Sequence, residues 1–536
     1  MEAPTNAPAS RPASWKPILV IAGLLTLIFT LATGQDHNWD LRNYHLYTAS
    51  ALMQGRYDSD IAVAQLQTWH NPTVDFPFAW LVQVGAPGWL VTVWLAVPAC
   101  FALVFALRIM DLLWPDGSSR WRTGWATVVA LTGAAVGPTL GSTFNDAFVA
   151  AGALAALYWV IGSHAQRGAL SVWIPAGLMA GAAAGLKLTG GIYCIGLAAA
   201  MVVAGPLRSL PQRTLALAAG GVTGVLITAG PWAWMMWQAH GNPLFPYFNQ
   251  IFRSADGLPL SYSDAKFIPH GIDALLVPVH LLSSSNRYSE SKLADPRVLL
   301  GLAAFAMAWF ETRQRAAHPD AAATPRTGKR MLVAFALASF VCWVLIYGIY
   351  RYLFAFELLC SVAICAMVWK VWPARWPRGL LAVAAVLIIA VTDRPSWGRD
   401  HVFTTPMVKV RFPALPEDAL VVLSSIHPLG HAVPYLPRKV QAVAIANNFM
   451  DPQHCTHLQQ RAERTIRSHS GPVFLLMELD QDHTDPFADR YQRYGLQIDG
   501  QCSKVEDSLR PGKLQICPLK RVAMPASACD AARTGA

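Results

Sequence analysis

The strongest constraint on this chain is a series of long apolar runs that are separated by short polar loops. An apolar run of about 17 to 25 residues is long enough to cross a lipid bilayer as a helix. Such runs lie near 17–33, 86–109, 124–141, 145–162, 171–186, 189–205, 214–235, 297–311, 331–350, 353–370 and 379–392. We therefore predict a polytopic α-helical membrane protein with about 11 transmembrane helices.

The composition supports this class, because 54% of the 536 residues are hydrophobic and only 14% are charged. The formal charge of +10 does not indicate a nucleic-acid partner, since the basic residues are spread over short loops instead of forming one patch. Loops on the N-terminal side hold most of them, whereas short loops on the other side hold little besides Lys187 and Arg351. The positive-inside rule then predicts a cytoplasmic N-terminus and a periplasmic C-terminus.

The runs and loops divide the chain into three predicted parts. These are a cytoplasmic N-terminus, a transmembrane domain with two external loops, and a periplasmic domain, covering 1–16, 17–395 (external loops 34–85 and 236–296) and 396–536. The first apolar run has an alternative interpretation as a cleaved signal peptide, since Arg11 and Lys16 precede it. We favour an uncleaved anchor, because the run continues without a convincing small-x-small cleavage site.

The C-terminal part has the pattern of a small α/β domain. Short β-type runs alternate with a segment, HCTHLQQRAERTIRSHS, whose apolar residues have helical spacing. The β-type runs are ALVVLSS, KVQAVAIAN, GPVFLLMEL and KLQICPL. Such alternation predicts a layered sheet domain of ordinary size outside the membrane.

The cysteines of this domain suggest cross-links. Cys502 and Cys517 flank a predicted hairpin, and an external compartment is oxidising, so we predict a disulfide between them. Cys455 and Cys529 either pair or remain free. A zinc site at His454, Cys455 and His457 is the weaker interpretation, because no second pair of ligands follows at metal spacing.

The densest cluster of ionisable residues is GQDHNWDLRNYHLYTASALMQGR, directly after the first apolar run. From Leu41 onward the apolar positions have spacings of three and four, which predicts an amphipathic helix on the membrane surface with Asp40 near its N-terminus. Helix capping explains Asp40 alone. It does not explain why Asp36, Arg42 and His45 crowd the same place, and we therefore expect a functional site here.

Three further charged residues lie at the ends of apolar runs. Asp146, in GSTFNDAF, either caps a helix or faces a cavity, because a carboxylate at the membrane edge is costly. Lys187, in AGLKLTGG, and Arg351, in GIYRYLFAFE, are expected to bind phosphate or to balance a carboxylate. Snorkelling to the interface is the alternative for both cations. The polar residues of SSSNRYSESKLADPRVLL are expected on a solvated surface, namely Arg287, Glu290, Asp295 and Arg297.

Taken together, these motifs resemble the GT-C superfamily of membrane glycosyltransferases over about residues 15 to 395. The likeness rests on the acidic first loop with Asp40, on Asn145–Asp146, and on GLKLTG, GNPLFPYFN and IYRYL. It is nearest to bacterial relatives with an added external C-terminal domain. The resemblance implies that a sugar passes, with inversion, from a polyprenyl-phosphate carrier to a lipid, polysaccharide or protein acceptor at the periplasmic face of the inner membrane.

The resemblance also implies roles for single residues. Asp40 would be the general base or the carboxylate that orients the acceptor, with Asp36 its nearest rival and Asp146 the second acid. Lys187 and Arg351 would meet the carrier phosphate. The remaining candidates for the substrate site are Tyr352, His45, Asn242 and Glu290.

A divalent metal, Mg²⁺ or Mn²⁺, is a further possibility that the resemblance raises. Some members bind such a metal through two acidic sites, which here would be Asp40 and Asp146. The first loop reads Asp-His-Asn-Trp-Asp and lacks the closely paired acids of those members, so a metal is not a firm expectation.

Two other functions remain open from the sequence. A lipid-linked sugar transporter or flippase would need polar residues through the membrane depth and usually an internal repeat. No repeat is visible, and the charged residues gather at one face. A non-catalytic assembly subunit would use its external domain to bind a partner.

Overall fold

The computed structural model describes residues 15–115, 119–163, 170–314, 323–371, 377–478, 487 and 489–522. Most of the predicted N-terminal segment 1–16 and the last residues of the chain lie outside this part. The α-helices up to residue 391 are α1 (Trp15–Thr33), α2 (Leu46–Gln54), α3 (Phe76–Gln83), α4 (Gly88–Leu113), α5 (Arg120–Leu131), α6 (Val136–Thr139), α7 (Asp146–Gly162), α8 (Leu170–Leu186), α9 (Gly191–Val203), α10 (Leu210–His240), α11 (Asn249–Phe252), α12 (Asp273–His280), α13 (Arg297–Gln314), α14 (Ala323–Ile346), α15 (Phe354–Val371) and α16 (Pro377–Val391).

Each predicted membrane span overlaps one of these helices. In the described part of the chain, five helical segments are long and apolar enough to cross a bilayer: Trp15–Thr33, Gly88–Leu113, Leu207–His240, Pro325–Ile346 and Tyr350–Lys370. Shorter apolar helices cover Asp146–Gly162, Ser171–Leu186, Leu188–Val203 and Arg378–Val391. The predicted polytopic helical architecture is therefore confirmed.

Close packing of α8 against α10 depends on glycine. A Cβ atom on Gly181 would lie 2.1 Å from the backbone oxygen of Gly221, and one on Gly220 would lie 2.1 Å from that of Ile174. Membrane helices associate through small residues because close backbone contact replaces the hydrophobic drive that lipid removes. This pair of helices carries Lys187, which follows α8 directly, to its place in the site described below.

The prediction of one continuous span over 124–141 is wrong. α5 ends at Leu131, and α6 begins at Val136. Between them the backbone N–H of Ala134 donates to Asp295 Oδ2 at 2.8 Å, and the next two N–H groups donate to the Glu357 carboxylate at 2.9 Å. Backbone groups at membrane depth need partners. Two buried carboxylates supply them here, and the helix can break.

The expectation of a solvated surface is also wrong for Asp295 and Arg297, both of which are fully buried. Arg297 Nη1 donates to Asp295 Oδ1 at 2.9 Å and to the Thr392 hydroxyl at 2.8 Å. Its Nε donates to the backbone oxygen of Val129 at 3.1 Å. This network ties the loop before α13 to α5 and α16, so these charges are structural.

The C-terminal part forms the predicted α/β domain. Its strands are β3 (Val410–Arg411), β4 (Leu420–Ser424), β5 (Gln441–Ala446), β6 (Val473–Glu478), β7 (Leu496–Ile498), β8 (Ser503–Lys504), β9 (Glu506–Asp507) and β10 (Leu514–Arg521), and its helix is α17 (His457–Ser468). The main sheet has the order β5-β4-β6-β10-β7, with β8 also paired to β10. β4 is parallel to both neighbours, and β10 is antiparallel to β6. The four predicted β-type runs are β4, β5, β6 and β10.

The loop over residues 34–85, which was predicted to be external, packs against this domain and shares its hydrophobic core. Ile61 forms a parallel bridge with Val443 at the free edge of β5. Arg56 donates to the backbone oxygens of Val433 and Val440 at 2.9 and 3.0 Å. A short pair, β1 (Gln35–Asp36) with β2 (Arg399–Asp400), ties the ends of the two regions together. The loop and the domain thus form one layer outside the bundle.

This packing corrects the predicted surface helix after Asp40. Residues Leu41–His45 form a π-helix that continues into α2. Leu41 and His45 share one side of the helix, whereas Asn43 and Tyr47 lie on other sides, and all four have at most 1% of their surface exposed. The segment is therefore buried on both faces, because the C-terminal domain covers the face that was expected to be in water.

The cysteines support a disulfide-bonded domain. Cys502 and Cys517 form a disulfide. Cys455 is also disulfide-bonded, so its sulfur is not available as a ligand for the zinc site considered above. Cys529 lies outside the described residues.

Candidate active site

Asp40 and Arg351 form the centre of the candidate site. Asp40 directly precedes the π-helix Leu41–His45, and Arg351 lies in a 3₁₀ turn, Tyr350–Leu353, that leads into α15. Arg351 Nη1 donates to Asp40 Oδ2 at 3.1 Å. The side chains of Arg351 and Asp40 are 10% and 14% exposed, so the pair is sheltered and still reachable.

The charge of Asp40 follows from this pairing. Burial raises the pKa of the Asp40 carboxyl, but the positive charge of Arg351, with smaller contributions from His45 and Lys187, outweighs burial and lowers the pKa below its usual value. Asp40 is therefore ionised at neutral pH. It can accept a hydrogen bond or a proton from a hydroxyl group.

Arg351 has further neighbours that fix its guanidinium. Its Nη2 lies 3.6 Å from Glu290 Oε1, and Glu290 is 40% exposed. Its Cζ lies 4.4 Å from the ring centre of Phe144 and 5.3 Å from that of Tyr352. Nε is buried and has no hydrogen-bond partner among the described residues. The guanidinium is thus held by aromatic rings and two acids, with Glu290 at the open side.

A second ion pair lies beside the first. Lys187 Nζ donates to Asp146 Oδ1 at 2.7 Å. Nζ also lies 4.9 Å from the centre of the Tyr352 ring, the ring that contacts Arg351. Lys187 is 18% exposed, whereas Asp146 is 3% exposed at the start of α7. The buried Asp146 therefore orients the side chain of Lys187, and the more exposed ammonium group of Lys187 faces the site.

His45 holds a supporting position. It is fully buried, and its Nδ1 lies 2.9 Å from Asp75 Oδ1. Asn145 donates to the same oxygen at 3.5 Å. Asp75 therefore links His45 to Asn145, the residue directly before Asp146 and α7.

His70 and Tyr247, from loops 34–85 and 236–296, lie in contact with each other beside Tyr44. His70 Nε2 lies 2.9 Å from the Tyr247 hydroxyl, and the two rings are stacked. The ring of Tyr44 meets His70 edge-on at 5.0 Å. Burial lowers the pKa of His70 to about 3, so this histidine is neutral at physiological pH. Because Tyr247 lies in GNPLFPYFN and His70 begins HNPTVDFPF, both could be located from turn-rich aromatic motifs, although the sequence alone gave neither a role.

Two predicted site residues have structural roles in this geometry. Asp36 is fully buried, and its oxygens accept from Asn38 N and Nδ2 and from Thr143 N and Oγ1 at 2.8–3.0 Å. Asn242 is also fully buried and shapes its own loop, donating to the backbone oxygen of Tyr247 and accepting from Leu244 N. Asp36 as a rival to Asp40, and Asn242 as a substrate ligand, stay predictions, and these hydrogen bonds give both residues a structural role as well.

The donor set does not fit a divalent metal. Within the described residues, no group of three or more His, Cys, Asp or Glu side chains is placed to hold a metal ion. Asp40 and Asp146, the two acids considered above as metal ligands, are each paired with a cationic side chain of the protein. The chemistry below therefore uses the protein's own residues.

Comparison with known proteins agrees with this architecture. No protein-family model and no curated protein sequence matches the chain. The fold is similar to the crystal structure of ArnT from Cupriavidus metallidurans in the apo state, with a TM-score of 0.51, 12% sequence identity, and coverage of 94% of this chain and 97% of ArnT. A second structure of that protein, bound to undecaprenyl phosphate, gives a TM-score of 0.49 and 13% identity over 94% and 98% of the two chains. The chain therefore shares its overall fold with the apo ArnT structure, and the GT-C superfamily is the one that its sequence motifs resemble.

Proposed function

We propose that the protein is a glycosyltransferase that moves a sugar from a polyprenyl-phosphate carrier to an acceptor at the periplasmic face of the bacterial inner membrane. One observation carries this proposal. The accessible, ionised carboxylate of Asp40 lies against Arg351, and Lys187 contacts the same Tyr352 ring as Arg351. A base beside two cations is what transfer from a glycosyl phosphate requires.

The reaction that suits this geometry is a single displacement. The hydroxyl oxygen of the acceptor forms a bond to the anomeric carbon as the bond from that carbon to the phosphate oxygen breaks. The hydroxyl proton passes to Asp40, and the bonding electron pair leaves with the polyprenyl phosphate. One displacement inverts the configuration at the anomeric carbon.

The two cations differ in what they can contribute. Arg351 is shared between Asp40 and Glu290, so a phosphate that replaces Glu290 would keep the guanidinium fully paired. Lys187 is more exposed than its partner Asp146 and presents a compact charge to the leaving oxygen. Charge that develops on the phosphate is stabilised best by such fixed groups in a sheltered site.

The carrier class comes from the GT-C resemblance, and the acceptor is defined only as a molecule with a free hydroxyl group. Undecaprenyl phosphate, the molecule bound in one ArnT structure, is a suitable representative to test first. The distribution of basic loops supports a cytoplasmic N-terminus and a periplasmic site.

The first experiment is binding of undecaprenyl phosphate to purified protein in nanodiscs. Saturable binding that Lys187→Ala and Arg351→Ala each weaken, followed by sugar transfer from a panel of polyprenyl-phosphate sugars, supports the proposal. Lys439→Ala is the matched control, because Lys439 is 75% exposed and pairs with Glu417 on the surface of the C-terminal domain. Absence of binding to folded wild type contradicts the proposal and favours a non-catalytic assembly subunit.

A further inference from the structure

The C-terminal domain contacts the turn at residues 40–43, which carries Asp40. A 3₁₀ helix of the domain, Gly430–Tyr435, packs against the π-helix Leu41–His45. A Cβ atom on Gly430 would lie 1.9 Å from the backbone oxygen of Asn43. The domain therefore meets the turn backbone to backbone, three residues from the proposed base. A π-helical turn is rare and frequently marks a functional site.

His431 makes the first directed contact with this turn. Its Nδ1 lies 3.0 Å from the backbone oxygen of Arg42, and its Nε2 lies 3.0 Å from Asp507 Oδ2. The His431 and Asp507 side chains are fully buried. Burial raises the pKa of Asp507, but the charge and hydrogen bond of His431 outweigh burial, and the pKa is lowered. Both partners of His431 are thus acceptors, and only an imidazolium, with a proton on each nitrogen, donates to both.

Glu478 makes the second contact. It is 1% exposed at the end of β6, and its Oε2 lies 3.4 Å from Arg42 Nη1. Arg510 Nε donates to the other oxygen at 2.7 Å. Glu478 therefore holds the side chain of Arg42 while His431 holds its backbone. Neither residue reaches the reacting atoms, so any effect on them passes through the turn.

We propose that His431 and Glu478 are positioning residues that set the conformation of the turn at residues 40–43 and thereby the alignment of Asp40 with Arg351. The C-terminal domain is then a working part of the active site and not a separate binding module. The role of His431 and Glu478 in catalysis rests on the proposed function, whereas their contacts with the turn do not.

Two substitutions of His431 separate positioning from simple stability. In His431→Asn the amide nitrogen replaces Nδ1 and can still donate to the Arg42 oxygen, while contact with Asp507 is lost. In His431→Gln the amide nitrogen replaces Nε2, so contact with Asp507 is kept and the Arg42 oxygen is left unpaired. Both variants remove one buried hydrogen bond and the same charge, and they differ in which partner is released.

The test is hydrogen–deuterium exchange of residues 38–46 in the full-length protein in nanodiscs, read by mass spectrometry. We expect His431→Gln to speed exchange of this segment about fivefold or more, as expected for one lost hydrogen bond, and His431→Asn to leave it nearer to wild type. Ile466→Ala is the control, because Ile466 is fully buried in the same domain on α17, a different element from those that carry His431 and Glu478. It should lower the melting temperature of the protein without speeding exchange of residues 38–46.

Sugar transfer supplies the second measurement. His431→Gln should lower kcat about tenfold with an unchanged KM for the donor, and Ile466→Ala should leave kcat unchanged. The proposal is overturned if the two His431 variants behave alike, if exchange of residues 38–46 does not change, or if it changes without any loss of kcat. If wild type transfers no sugar, the proposed function fails, and the exchange measurement still decides whether the domain holds the turn.

Discussion

Arg351 Nη1 lies 3.1 Å from Asp40 Oδ2, although 311 positions separate the two residues in the chain. Asp40 follows the first membrane helix, and Arg351 precedes the tenth predicted span. The ion pair therefore joins a segment near the start of the helical region to one near its end. Asp40 is partly exposed there, whereas its neighbour Asp36 is sealed among Asn38 and Thr143. Asp36 and Asp40 therefore have different environments and should respond differently to substitution.

Asp40→Asn should abolish most sugar transfer and leave the fold intact. The amide keeps the shape of the side chain and loses the negative charge that accepts the proton, which costs about 10²- to 10⁴-fold in kcat. Asp36→Asn is the matched control, and it should mainly lower the melting temperature because an amide cannot accept all four hydrogen bonds. Transfer assays and thermal unfolding in detergent measure both effects. Full activity in Asp40→Asn would remove Asp40 from the mechanism.

Arg351→Gln and Lys187→Gln should each weaken binding of undecaprenyl phosphate about tenfold, which corresponds to about 1.4 kcal/mol. Each glutamine can still donate a hydrogen bond but carries no charge for the phosphate. Isothermal titration or fluorescence in nanodiscs measures the affinity, with Lys439→Ala as the surface control. Binding that is lost with Arg351→Gln and kept with Lys187→Gln would assign the phosphate to Arg351 alone.

The pH dependence of transfer should depend on Arg351. The positive charge of Arg351 is the largest influence that lowers the pKa of Asp40 against the opposing influence of burial. In Arg351→Gln the largest influence that lowers the pKa of Asp40 is lost, so burial raises this pKa. The acid limb of kcat/KM should therefore move to higher pH. An unmoved acid limb would show that another group titrates.

The same ion pair should affect stability at low pH. Because the pKa of Asp40 is lower in the folded protein than its usual value of about 3.9, the pair stabilises the fold above that value. The stabilisation is lost as the pH falls through the lowered pKa. The difference in free energy of unfolding between wild type and Arg351→Gln should therefore be smaller below about pH 4 than at pH 7.

The membrane spans and the strands of the C-terminal domain were predictable because each is encoded locally. An apolar run of sufficient length predicts a helix in lipid wherever it occurs, and the four β-type runs became β4, β5, β6 and β10. The break between α5 and α6 was not predictable in this way. Its cause is the carboxylates of Asp295 and Glu357, which lie more than 160 positions further along the chain.

The candidate site was predictable in its parts but not in its pairing. Asp40, Lys187 and Arg351 stand out because charge at the end of an apolar run is costly. Nothing local distinguishes Asp36 from Asp40, since the difference is the burial that Thr143 and the C-terminal domain impose. The partners of Arg42 were invisible for the same reason, because His431 and Glu478 lie nearly 400 or more positions away.

Arg297→Met should destabilise the protein by about 3 to 5 kcal/mol, because it leaves Asp295 buried without its cation. The carboxylate of Asp295 would still accept from Ala134 N, so the break between α5 and α6 should persist in a less stable protein. Thermal unfolding in detergent measures the loss. Arg287→Met is the control, because Arg287 is 45% exposed and its pair with Asp273 lies at the surface, where such pairs contribute about 0 to 1 kcal/mol. Equal melting temperatures for the two variants would contradict a structural role for the buried pair, and a selective loss of undecaprenyl phosphate binding in Arg297→Met would move Arg297 into the binding site.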